Sequence, residues 1–194
     1  MNKILALTIS TIVSPVLILA VLPYILVLKA TGSPSGAFFW TVFSWIFLLI
    51  LFVFILLGIE KGFFSDLDIS KRSQRPLLFT FSIGLSLFYT IFLYFLKAPT
   101  VLFIALFGVI FGLVCMELVN RITKASIHVA TASAFATALF LGFGPIYLLS
   151  FILVPLVSWA RIKTHNHTKR QTVIGAAMGI LITLIVYVIF KYII

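Results

Sequence analysis

Residues 37–59 read AFFWTVFSWIFLLILFVFILLGI, a run of twenty-three positions without a single charge. This run decides the fold class, because about 20 apolar residues wound as a helix match the hydrocarbon thickness of a bilayer. It lacks the in/out alternation of a barrel strand, and a helix satisfies its own backbone polar groups, so a membrane-crossing α-helix is expected. Working outward, six more apolar segments follow the same rule: Ile4–Leu28, Leu77–Leu96, Val101–Val119, Ile127–Leu141, Phe143–Ala160 and Thr172–Phe190. The expected fold is all-α, a polytopic transmembrane helix bundle of about seven spans (six to seven), forming a single integral membrane domain over residues 1–194. The run after Lys3 is longer than the apolar part of a secretory signal and is read as a retained first span. Pro15, Pro23 and Pro155 fall inside spans and are expected to kink them.

Composition excludes the other classes. The chain is 63% hydrophobic and 9% charged, whereas a soluble globular domain carries about 25% charged residues. Disorder is excluded by the same apolar excess. Fourteen Lys and Arg against four Asp and Glu give a net charge of +10. On so apolar a chain, that balance points to bilayer topology and anionic headgroups rather than to nucleic acid. A lone cysteine, Cys115, leaves no intrachain disulfide or Cys-based zinc site. The fifth segment is dense in small residues, from Ala130 to Ala138, and is expected at the centre of the bundle, where helix backbones approach closely. Gly175 and Gly179 form a GxxxG pair of the same kind, as do Gly108 and Gly112. The second segment, rich in Phe and Leu, is expected to face lipid over much of its surface.

The connections are unequal. Counting crossings puts Lys3, Lys61, Lys71, Arg72, Arg75, Arg121, Lys124, Arg161, Lys163, Lys169 and Arg170 on one expected face, and leaves Lys29, Lys97 and Lys191 on the other. All three histidines and all four acids lie on or beside the cationic face. The excess of Lys and Arg predicts that this face is cytoplasmic.

Three stretches on that face carry chemistry: Lys71-Arg72-Ser73-Gln74-Arg75-Pro76, Ala125-Ser126-Ile127-His128, and Arg161-Ile162-Lys163-Thr164-His165-Asn166-His167 followed by Gln171. Two spans separate each stretch from the next, which returns all three to the same side. Guanidinium groups at Arg75 and Arg161 suit phosphate recognition, and Lys71 adds a point charge. Ser126 stands at the expected N-cap of the fifth helix, where backbone N–H groups and the positive helix end favour an anion. His128 and His167 can move protons near neutral pH or attack phosphorus. Together they suggest phosphoryl transfer without a metal. His165 reads as an interfacial bystander. Asn166-His167-Thr168 matches a glycosylation sequon but lies too close to the membrane to be used as one.

These stretches resemble the type 2 phosphatidic acid phosphatase superfamily of integral membrane lipid phosphatases. That family carries Lys-x6-Arg-Pro, then Pro-Ser-Gly-His, then Ser-Arg-x5-His-x3-Asp. Here Arg75-Pro76, Ser126-x-His128 and Arg161-x5-His167 match in order, over about residues 66–194. The resemblance implies His167 as the nucleophile that forms a phosphohistidine and His128 as the general acid for the leaving lipid. Arg75, Arg161 and Ser126 then bind phosphate, and no metal or other cofactor is needed. The chain departs from the pattern at four places. Asp68 stands where the family has its Lys, so Lys71 or Arg72 must substitute; Ala125 and Ile127 flank Ser126; Ala160 precedes Arg161; and Gln171 replaces the final Asp that orients the nucleophile. A neutral Gln171 can still fix the ring tautomer but cannot stabilise an imidazolium as a carboxylate would, leaving Asp66, Asp68 or Glu117 as candidate compensating acids.

The expectation is a cell-membrane phosphatase acting on a lipid monophosphate or diphosphate, of the phosphatidate, phosphatidylglycerophosphate or polyprenyl diphosphate class. Its partners would be that substrate and membrane lipids, not nucleic acid. The alternative is a non-catalytic lipid-binding or lipid-moving protein of the same fold. A small transporter or prenyl transferase fits less well: no acid pair lies mid-span, and Asp66 with Asp68 falls short of a magnesium-binding acidic motif.

Overall fold

A computed structural model describes residues 2–192, which are helical with no strand among them. Eight α-helices occur in these residues: α1 (Asn2–Ile12), α2 (Pro15–Thr31), α3 (Pro34–Glu60), α4 (Arg75–Phe95), α5 (Thr100–Ile122), α6 (Ile127–Phe143), α7 (Leu153–Lys163) and α8 (Lys169–Phe190). Short 3-10 segments, Arg72–Gln74 and Pro145–Ile152, lead into α4 and α7. Five of the resulting helical segments are long and apolar enough to cross a membrane, and α1 with α2 would make a sixth. At 17 residues α6 is shorter, at the lower end of what a bilayer needs. The long apolar helices fit an integral membrane protein.

The kink expected at Pro15 in the first segment, Ile4–Leu28, is present: α1 and α2 meet at a 40° bend. Pro15 has no N–H to continue the helix and disfavours helical backbone at Ser14, so the chain restarts there, with Ser14 Oγ accepting from the Leu17 N–H at 3.3 Å. The sixth begins later than expected. Gly144, at φ +100°, turns the chain after α6, and the following residues wind as a 3-10 helix before α7. A φ in that range suits glycine and strains other residues.

The chain forms two compact units, residues 19–120 and residues 1–18 with 121–194. In the first, α2 to α5 enclose a core of Val27, Trp40, Phe47, Tyr89, Leu93, Leu102 and Leu106. One polar pair lies inside it: Ser44 Oγ and Tyr89 Oη share a hydrogen bond of 2.7 Å, and the Tyr89 ring sits 4.3 Å from that of Phe47. The rest of α3 is largely exposed, with Leu49, Phe52, Val53, Leu56 and Leu57 all outward, as expected of a lipid-facing surface. The loop from 61 to 74 is folded against this unit. Phe64 fills the space that a side chain at Gly58 would occupy, and packs with Ile55 and Ile69. Asp66 ties the loop together by accepting from the Ser65 hydroxyl at 2.7 Å and from the Ser70 N–H at 3.2 Å.

In the second unit α6 is central, as its small residues predict: Ala130, Ala132, Ser133, Ala136 and Thr137 are buried, and α6 touches α7, α8 and the Pro145–Ile152 segment. Helices α6 and α8 run parallel. Ser126 meets Gln171, Ser133 Oγ donates to the Ala176 carbonyl at 3.1 Å and Thr183 Oγ1 to the Ala134 carbonyl at 3.5 Å, so partner numbers rise together. The GxxxG pair makes this possible. A Cβ on Gly175 would stand 2.5 Å from the Ser126 carbonyl oxygen, and one on Gly179 would overlap the Ala130 carbonyl and Ser133 Oγ.

Candidate anion-binding site

Parallel packing puts the N-termini of α6 and α8 side by side. Ser126 is the N-cap of α6, fully buried, with Oγ accepting from the Val129 N–H at 3.5 Å. Its own N–H donates to the Gln171 carbonyl in the first turn of α8 at 3.1 Å. The cap that the sequence offered as an open anion seat is therefore partly occupied by the neighbouring helix. His128, two residues beyond the cap, is buried.

The third stretch is a helix stop followed by a helix restart. Helix α7 ends in a two-bond reversal, with Asn166 N–H donating to the Arg161 carbonyl at 3.1 Å and His165 N–H to Ile162 at 3.0 Å. His165 takes the left-handed conformation, φ +59°, in which this type of helix end is usually built around glycine. The His167 N–H also reaches the Arg161 carbonyl, at 3.2 Å. The five-residue spacing between Arg161 and His167 is thus the length of one helix-ending turn.

Helix α8 then opens with a capping box. Gln171 N–H donates to Thr168 Oγ1 at 3.4 Å, and Thr168 N–H donates to Gln171 Oε1 at 3.2 Å. The same Oε1 lies 3.1 Å from His167 Nδ1. His167 is buried; so is Arg161, whose Nη1 donates to Ser10 Oγ of α1 at 2.8 Å. Lys124 Nζ donates to the Asn166 carbonyl at 2.8 Å. Ser126, His128, Arg161, His167 and Gln171 therefore belong to one end of one unit, joined through the Ser126–Gln171 bond.

That unit carries eight Lys and Arg and no Asp or Glu. Two adjacent helix N-termini, each worth roughly half a positive charge, add to this field. All four acids of the chain lie in residues 19–120.

Lys71 and Arg75 also belong to the 19–120 unit. Lys71 is exposed, while Arg75 is buried at the first position of α4 with Nε donating to the Ile69 carbonyl at 3.3 Å. Asp66 serves its own loop. Partial burial pulls its carboxyl upward, but hydrogen bonds from Ser65, Ser70 and the Asp68 backbone outweigh that and hold it below the ordinary carboxylate value. No group of three or more His, Cys, Asp or Glu that could hold a metal occurs among the described residues.

Sequence reasoning missed three participants. Thr168 had a signal, since Thr-x-x-Gln ahead of an apolar run is a capping-box pattern. Lys124 was read as a topological charge. Ser10, 151 residues from Arg161, had no local signal at all. No family model, no curated protein and no solved structure matches this chain.

Proposed function

We propose that this is a multi-pass membrane phosphatase for a lipid phosphate monoester or diphosphate, a divergent relative of the type 2 phosphatidic acid phosphatases, in the cell membrane. It would have about seven crossings, with α1 and α2 as one span and α6 as another. The observation that carries this reading is the acid-less unit in which two helix N-termini, a buried guanidinium and two buried imidazoles share one end. An anion with several oxygens is the ligand such a field attracts, and histidine is the side chain able both to attack phosphorus and to move protons near pH 7.

In this mechanism a lone pair of His167 attacks phosphorus and the P–O bond to the lipid breaks. The departing alkoxide takes a proton from protonated His128, leaving a phosphohistidine at His167. Water then attacks the phosphohistidine, His128 accepts its proton, and the N–P bond breaks to release inorganic phosphate. Arg161 and the helix N-termini stabilise the equatorial oxygens, and Gln171 holds the ring. By the resemblance, Arg75 and Lys71 would bind phosphate as well. The cation excess favours a cytoplasmic face, and cysteine labelling at Ser65 and Thr31 tests that sidedness.

Phosphate release from detergent-solubilised protein, with EDTA present, tests the proposal on phosphatidate, phosphatidylglycerophosphate and polyprenyl diphosphate. Activity is expected on at least one, with loss of at least about 10³-fold in His167→Ala. Full activity in that variant ends the reading. Gln171 favours a second reading, a lipid-binding or lipid-moving protein without turnover, because a neutral partner gives an imidazolium no countercharge. Binding of phospholipid with no phosphate release on any of the three substrates supports that second reading.

A further inference from the structure

We propose that Thr168 is a positioning residue, whose backbone N–H selects the oxygen end of the Gln171 amide for His167 and thereby fixes His167 as the Nδ1–H tautomer. A carboxylate facing a histidine needs no such help, because both of its oxygens accept. An amide has one accepting end and one donating end, and presented the wrong way round it would require a lone pair at Nδ1. Thr168 N–H donates to Gln171 Oε1 at 3.2 Å, and a donor can only face the oxygen. That oxygen is the atom 3.1 Å from His167 Nδ1, so Nδ1 carries the proton and Nε2 carries the lone pair. The His167 main chain is held as well, because its backbone N–H donates to the Arg161 carbonyl at 3.2 Å. Gln171 is itself seated by its N–H on Thr168 Oγ1 and by its carbonyl on the Ser126 N–H. The capping box thus does two things: it starts α8, and it makes a neutral side chain act with the directionality that a symmetric acid has no need of.

The role of this arrangement in catalysis rests on the reading of His167 as the nucleophile, which would then react at Nε2 while Nδ1–H stays on Gln171. The tautomer itself does not rest on that reading and is measured in the resting protein. Nitrogen-15 spectra of histidine-labelled, detergent-solubilised protein, above the imidazole titration, report the proton on each ring nitrogen. In the wild type we expect His167 as a single Nδ1–H species. Thr168→Ala removes the Oγ1 cap but keeps the N–H, and should leave that tautomer in place. Thr168→Pro removes the N–H; Thr168 sits at φ −88° and ψ 164°, near the range proline adopts. It should cut the tautomer ratio about five- to ten-fold, the effect of one lost hydrogen bond of ordinary strength. Adding Gln171→Glu to Thr168→Pro should restore the single Nδ1–H species, since a carboxylate accepts from either oxygen.

A wild-type His167 that is Nε2–H or mixed overturns the proposal without any variant. So does a Thr168→Pro protein with the wild-type ratio, or a double variant as mixed as Thr168→Pro alone. Failure of the phosphatase reading would be seen separately, as absent phosphate release from a wild-type protein whose tautomer is as expected.

Discussion

Gly175→Ala tests the contact on which the candidate site depends. The new Cβ would stand 2.5 Å from the Ser126 carbonyl oxygen and 3.4 Å from the Ala130 nitrogen, both backbone atoms of α6. Neither can swing aside as a side chain could, so α8 has to withdraw by roughly 1 Å to reach ordinary contact distance. Overpacking of this kind costs about 1–3 kcal/mol, and losing the Ser126–Gln171 hydrogen bond adds about 1 kcal/mol. Alanine offsets roughly 1 kcal/mol of this through its better helix propensity. The net expectation is a loss of about 1–3 kcal/mol, measured by reversible unfolding in mixed detergent micelles. Gly84→Ala on α4 is the control, because nothing lies within 4 Å of that Cβ, and it should be neutral or slightly stabilising. Under the proposed function, the same displacement separates the helix starts bearing His128 and His167, and phosphate release should fall by about 10²-fold. A Gly175→Ala protein as stable as Gly84→Ala would refute the close parallel packing of α6 on α8.

Three further outcomes are expected. The Asp66 carboxyl lies below its ordinary value when folded, so its contribution is full above the unfolded pKa, about 3.9, and is lost as pH falls through the lower folded value. Hydrogen exchange in residues 65–74 should therefore stay slow down to about pH 4 and quicken below it, and Asp66→Asn should quicken it already at pH 7. Ser44→Ala and Tyr89→Phe each remove one end of a buried 2.7 Å hydrogen bond; a double-mutant cycle in micelles should return a coupling of about 0.6 kcal/mol, the usual size between membrane helices. At His165, held at φ +59°, glycine should be neutral or stabilise by up to about 1 kcal/mol, whereas valine should cost about 1–2 kcal/mol. Under the proposed function, His165→Gly should leave phosphate release unchanged, and a large loss would put His165 in the site.

Much of the candidate site was legible as local pattern. Ser126 before an apolar run is an N-cap by its chemistry, and the spacing from Arg161 to His167 proved to be the length of a helix-ending turn. The i+4 spacing of Gln171 from His167 already allowed the two side chains to meet, which they do across the N-cap of α8. Less legible was what else those residues were engaged in. Ser126 N–H is committed to Gln171, Arg161 donates to Ser10 of the first helix, and Gln171 Oε1 is shared between Thr168 and His167.

The sequence by itself determined that the chain is helical and of membrane length, because charge-free runs of twenty residues leave the backbone no other partner than itself. It also marked single helix starts, such as Ser126 before α6, since a cap acts within the first turn. Only tertiary structure decided that α6 and α8 lie in backbone contact, and that the second unit gathers cations without a single acid. The reason is that lipid-facing and helix-facing positions are equally apolar here. Hydropathy cannot tell them apart; the shape of two glycines and the reach of a few hydrogen bonds can.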